Sequence, residues 1–332
     1  MAHALEQDEQ GNTAFALRGE PAWHKLGQVF DKEQHITTAE MLELAHLNDW
    51  NVRLEELSVP EGYRSSTQQQ MVIRTNPFDK GTDVLAIVGN RYNVVQNETL
   101  FDFGDALLDG GADWESAGSI KNGKVVFGSL TIPKEFVLDP EGANDKTVSY
   151  LLVHTSHDGS TAVQANITPV RVVCQNTLNM ALNGSKQSFK IRHSNTVDGK
   201  IQLARETLGL TFAHMDNFEA MAKSLFETTL TDIQFDKLVK SIYAEPEVGS
   251  AKSALTVWND KIDTIYDLYQ NGATNANITG TAWGALNALT ERIDYYRTGR
   301  KGSESIVAAA SGFDPVVNAE KARILSATLA LV

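Results

Sequence analysis

Three side chains of types that hold metal ions fall within five residues: His154, His157 and Asp158. Imidazoles and a carboxylate at that spacing offer a metal site to a hydrolase or nuclease. Against this, Asp158-Gly159 is itself a turn signal, and a tight turn sends such groups to different sides. Cys174 is the only cysteine. It falls at an expected helix start, where a thiolate is favoured, but Val172 and Val173 before it suit a small core residue. A second set is cationic and aromatic. Arg91 and Tyr92 follow a Gly-Asn turn, Lys121 and Lys124 flank Asn122-Gly123, and Arg171 comes just after Pro169. Lys186, Lys190, Arg192 and His193 surround Phe189 and Ile191 in a strand-like segment. Cations for phosphate and an aromatic for base stacking are what sequence-tolerant single-strand binding requires. The plain alternative for each cation is solvated surface.

Two common signatures do not occur in the sequence. There is no G-x-x-x-x-G-K-[ST] phosphate loop and no G-x-S-x-G nucleophile turn, which lowers the expectation of an NTPase or serine hydrolase. The net charge of −13 counts against a histone-like or polybasic binder. It does not count against a local cationic groove. Acidic residues are dense between Leu5 and Glu61, and basic ones gather in Lys186–Arg205 and Arg292–Lys301.

The elements that must position these residues follow from pattern and punctuation. At 332 residues, 42% hydrophobic and 21% charged, the chain exceeds the common single-domain size and has ample core material. No run reaches the roughly 18 apolar residues of a membrane span. The first residues lack a basic and an apolar region, so no secretory signal is expected, and a single cysteine fits a reducing cytoplasm. Residues 1–20 read as a mobile arm and Trp23-His24 as its anchor. Thr37-Thr38 caps a helix running to about Asn48. Strands are expected over Asn51–Val59, Gln70–Arg74 and Val84–Val88. Asn97 is expected to cap one helix ending at Gly110-Gly111. Asn122-Gly123 turns a hairpin whose returning strand ends at Pro133. A strand over Val148–His154, a turn at His157–Ser160 and a strand over Thr161–Ile167 follow. Pro169 stops that strand, and a helix runs over Cys174–Leu182. From Asp198 apolar residues recur every three or four positions, giving a helix of about 28 residues and then four shorter ones. The pattern predicts an α+β fold: an antiparallel, hairpin-rich sheet with packed helices over 21–195, then a mainly helical region over 196–332.

Five stretches carry a resemblance. Trp23-His24-x-Leu26-Gly27, Gly89-x-Arg91-Tyr92-x-Val94-Val95-Gln96-Asn97 and His154-x-Ser156-His157-Asp158-Gly159-Ser160 are three of them. Pro169-Val170-Arg171-Val172-Val173-Cys174-Gln175-Asn176-Thr177-Leu178 and Thr281-Ala282-Trp283-Gly284-Ala285 are the others. Together they resemble a phage/plasmid-like family of unknown function, found in actinobacterial phages, plasmids and laterally transferred islands. The resemblance runs from about residue 18 to the C-terminus and implies a genomic setting rather than a reaction. In outline, the sheet with its hairpin and helical flanks is also similar to phage single-strand annealing proteins, which act as oligomers without metal or nucleotide.

The leading expectation is a non-enzymatic protein of a phage or mobile element that binds or anneals single-stranded DNA. It would act as a cytoplasmic homo-oligomer without a cofactor or a membrane. Arg91, Lys121, Lys124, Arg171, Lys186, Lys190 and Arg192 would face phosphate, and Tyr92 would stack. One alternative is a structural protein or one that engages a host factor through its acidic surface. The other is a metal-dependent nuclease or hydrolase using His154, His157 and Asp158.

Overall fold

A computed structural model describes residues 5–19, 26–57, 69–102, 104–161, 163–171, 176–177, 188–190, 197–296 and 315–332. The fold is α+β, with sheets in the N-terminal part and helices in the C-terminal part. Among the described residues the larger sheet has eight strands. Four of them form a continuous antiparallel meander: β6 (Asp113–Ile120), β7 (Val125–Leu138), β8 (Asp145–Ser156) and β9 (Gln164–Arg171). On one side β1 (Phe15–Arg18) pairs antiparallel with β6, and β2 (Gln28–Phe30) pairs parallel with β1. On the other side β10 (Asn176–Thr177) and β11 (Ser188–Lys190) pair with successive parts of β9. A smaller antiparallel sheet holds β3 (Arg53–Glu56), β4 (Gln69–Thr75) and β5 (Thr82–Gly89).

Residues 5–19 are thus part of the sheet, not the mobile arm that polarity predicts. Leu5 bridges to Ile120, Glu6 is buried, and Phe15 and Ala16 enter the core. The polar residues of this stretch turn outward or pair, and the few apolar ones suffice to seat it. Gly27 is where the returning chain passes closest, with φ +88° and a would-be Cβ only 2.6 Å from the Phe15 carbonyl oxygen. Only glycine fits both conditions.

Two prolines lie inside strands where the pattern predicts strand ends. Pro133 sits within β7, but the register jumps from Ile132↔Ser149 to Glu135↔Val148. The bulge leaves Pro133 and Lys134 without ladder partners, so the missing N–H is not needed there. Pro169 pairs with Ser149 on one side. On its other side β11 reaches only to Asn166 and β10 begins at Val170. The proline falls in that gap.

The helices begin with α1 (Thr38–Leu44), whose N-cap Thr37 and Glu40 form a reciprocal capping box. The single helix expected after Asn97 is two short ones, α2 (Asn97–Phe101) and α3 (Gly104–Leu108). Gln96, not Asn97, occupies the N-cap, and the Asn97 side chain is used elsewhere. The long helix α4 (Val197–Glu227) spans 31 residues and lies against β7, β8 and β9. It is followed by α5 (Asp232–Ile242), α6 (Lys252–Gln270), α7 (Ala282–Tyr295) and α8 (Pro315–Leu329). Thr231 caps α5 with a second capping box to Gln234. No helix among the described residues is long and apolar enough to cross a membrane.

Two cores result. One lies between the two sheets and α1–α3, around Trp50, Phe101, Trp114, Leu130 and Leu151. The other gathers α4–α8 and the end of β7 that carries Phe136 and Leu138, around Phe218, Phe235, Tyr269 and Trp283. Trp50, Trp114 and Trp283 are all within 1% of fully buried and anchor these cores. The Trp283 indole Nε1–H donates to the buried Asp145 carboxylate at 2.8 Å, tying α7 to the start of β8.

Candidate nucleic-acid interface

Because β7 pairs with β8 from Val125↔Ser156 onward, the β6–β7 turn and the β8–β9 turn lie side by side. The His157 backbone N–H donates to the Lys124 carbonyl at 2.7 Å and fixes them together. The β6–β7 turn has Lys121, Asn122 and Gly123 all at positive φ. The loop after β5 joins them: Tyr92 OH donates to the Ser156 carbonyl at 3.1 Å. The ring also reaches Gly159, where a Cβ would lie 3.7 Å from Tyr92 Cε2.

One end of the large sheet therefore gathers three of the loops that carry predicted site residues. Arg91, Lys121 and Lys124 are exposed there, and Tyr92 is half-buried. Within 89–93, 121–124 and 157–161 three cations face a single carboxylate, Asp158. That local excess is opposite in sign to the whole chain. Burial and then the Asp158 charge raise the Tyr92 phenol above its ordinary range, so it stays a neutral donor. Burial works against the Asp158 charge, but hydrogen bonds from Ser160 and Ser156 and the Lys121 ammonium hold it below the usual carboxylate range.

Strand register places the other described candidates. Lys190 on β11 stands opposite Gln164, at the β8–β9 turn end of β9. Arg171 stands opposite Thr147 and Asn176, at the far end of β9. Seven residues of strand put it roughly 23 Å from Gln164. Lys186, Arg192 and Cys174, with Trp23-His24, lie outside the described residues. Of the helix expected over Cys174–Leu182 only Asn176 and Thr177 are described, and they are a strand, β10, held by pairing with Arg171 and Val170 of β9, not a helix.

His154 and His157 do not point at one ion. His154 lies on β8 and His157 is the first residue after it, and the two rings pack in different surroundings. His154 Nε2 lies 3.0 Å from Asn166 Nδ2 on the face of Phe127 and Leu152. His157 instead enters the core between the sheets, its ring 5.8 Å from that of Trp50. Its Nε2 is 2.9 Å from Asn97 Oδ1, which accepts, while Asn97 Nδ2 donates to the Leu47 carbonyl at 2.8 Å. Burial brings both histidines down to about 4, and for His157 the Arg74 charge adds to it. Both are neutral at pH 7. Among the described residues no group of three or more His, Cys, Asp or Glu is placed to hold a metal ion.

The sequence reading passed over the group beneath the cationic end. Arg74, 1% exposed, lies with its guanidinium carbon 4.0 Å from the Trp50 ring centroid. It donates to both carboxylate oxygens of Glu6 and, through Nε and Nη2, to Asp83 Oδ2 at 3.1 and 2.9 Å. The Ser119 hydroxyl donates to Glu6 as well. A signal was available: a cation in the apolar strand Met71-Val72-Ile73-Arg74 needs a buried partner. What the sequence does not show is that the partner comes from 68 residues earlier. Elsewhere, a cavity of about 520 Å³ opens between β2, α1 and the β4–β5 turn. Glu40, Glu43, His46 and Lys80 are among its lining residues, and two carboxylates suit it poorly to phosphate.

The family model described as Domain of unknown function (DUF932) matches residues 84–312, more than half of the sequence, and the chain belongs to that family. The match takes in the three loops of the cationic end and stops short of Glu6, Trp50 and Arg74. No curated protein and no solved structure matches the chain.

Proposed function

We propose that this protein binds single-stranded nucleic acid without catalysing a reaction, using the cationic end of its large sheet. The observation that carries the reading is the gathering of exposed Arg91, Lys121 and Lys124 around the half-buried Tyr92. Long cationic side chains follow a phosphate backbone without reading sequence, and an aromatic ring accepts any base. Lys190, on the edge strand at the same end, extends the track. Arg171 is too distant to join the same short contact and belongs to it only if the strand runs the length of β9. The resemblance to phage and plasmid proteins supports a role in the recombination or replication of a mobile element, in the cytoplasm of its host. Annealing of complementary strands by a homo-oligomer is the form of activity that fits.

Fluorescence anisotropy of a labelled oligothymidine across a salt series tests this. Each phosphate-neutralising cation contributes about −0.7 to the slope of log K against log salt for single strands. The Arg91→Ala, Lys121→Ala, Lys124→Ala triple variant is expected to flatten the slope by about 2 and to weaken binding at low salt. Tyr92→Leu is expected to weaken binding with little change in slope. Absence of binding at low salt, or a triple variant indistinguishable from wild type, refutes the proposal.

A further inference from the structure

We infer that Arg74, held by Glu6 of the N-terminal segment, is the positioning residue that sets the Lys121–Lys124 turn in its nucleic-acid-binding place. The inference rests on the proposed binding function and assigns a role to residues outside the cationic end itself. Arg74 is not a binding cation. It is buried, four of its donor contacts go to two carboxylates, and one face of its guanidinium is covered by Trp50. Its importance is in what sits on it. A Cβ at Gly123 would collide with Nη1, Cζ and Nη2 of Arg74. The tip of the β6–β7 turn therefore rests directly on the guanidinium plane, with Lys121 and Lys124 exposed on either side.

Glu6 fixes that plane from the other direction. Both its oxygens accept from Arg74, and one also accepts from Ser119 on β6. The Glu6 backbone N–H donates to the Ser119 carbonyl at 3.1 Å, and Leu5 bridges to Ile120, the last residue before the turn. Asp83 on β5 completes the clamp, and β5 leads straight into the loop of Arg91 and Tyr92. One guanidinium thus joins the N-terminal segment, the small sheet and the turn. A planar five-donor fork can make these contacts together, and an ammonium cannot.

The test uses Glu6→Gln, which keeps size and packing, together with Arg74→Lys and the triple variant of the exposed cations. Hydrogen exchange resolved by mass spectrometry reports the turn, and anisotropy reports binding. Glu6→Gln and Arg74→Lys are expected to speed exchange over 119–124 at least tenfold while α5–α7 exchange as in wild type. Oligothymidine affinity is expected to fall severalfold, with a flatter salt slope because the two lysines no longer engage together. Unchanged exchange at the turn overturns the inference. So does faster exchange with unchanged affinity and slope. If the Arg74 variant unfolds globally, exchange rises everywhere and Glu6→Gln alone decides. A responsive triple variant beside an indifferent Glu6→Gln removes only this inference, whereas an indifferent triple variant removes the binding function and this inference with it.

Discussion

Acidification should strip stability from this fold through His157. An unfolded imidazole takes up its proton near pH 6.5, whereas in the folded chain burial and the nearby Arg74 charge delay protonation of His157 to about 4. Across that window the unfolded state binds more protons than the folded one, so stability falls as pH falls. The stabilisation is complete above 6.5 and lost by about 4. At roughly 1.4 kcal/mol for each pH unit of separation, the gap amounts to about 3 kcal/mol. His157→Gln isolates it, because a glutamine amide can still donate towards Asn97. The variant is expected to be less stable than wild type at pH 7 through lost packing against Trp50. Its deficit should shrink by about 3 kcal/mol as the pH is taken from 7 to 4, since only the wild type must protonate a buried ring. Urea titrations followed by circular dichroism at several pH values measure the difference. A deficit that stays constant, or widens, over that range would show that His157 is not held neutral by its surroundings.

Trp283→Phe should destabilise the protein by about 2–3 kcal/mol, because the buried Asp145 carboxylate loses its indole donor while ring volume is largely kept; denaturant titration checks this. Pro133→Ala should change stability by less than about 1 kcal/mol despite lying inside a 14-residue strand, since the bulge already excludes that position from the ladder; the same titration measures it, and a large loss would mean that the proline itself shapes the bulge.

The sheet and the helical stripes were legible because their periods are strong. The Asn122-Gly123 turn, the capping threonines Thr37 and Thr231 and the long run from Asp198 all mark local conformation, which neighbouring residues determine. Where the reading failed, a distant partner decided. Asn97 is an excellent N-cap by type, but a buried histidine and the Leu47 carbonyl claim its side chain. Residues 5–19 look like a polar arm until Arg74 supplies Glu6 with a partner. Pro133 and Pro169 end isolated strands, yet sheets can place a bulge or a gap where a proline falls. Of the candidate site, the residue types were readable and their gathering was not. Nothing local shows that Arg91 and Lys121 share one end of a sheet, or that Arg171 stands at the other end of β9.

The long helix α4 has a consequence for how such a protein can be divided. Its Leu203, Leu208 and Phe212 pack into the core between the sheets, while Met215, Phe218, Ala222 and Leu225 belong to the helical core. Phe136 and Leu138 of the β7–β8 hairpin cross in the opposite direction, from the sheet into the helices. A cut at the change in pattern near residue 196 would leave each part with apolar surface that the other was covering. The sheet region and the helical region are therefore poor units for exchange by recombination: a chimera that took one without its matching partner would inherit half of two interiors.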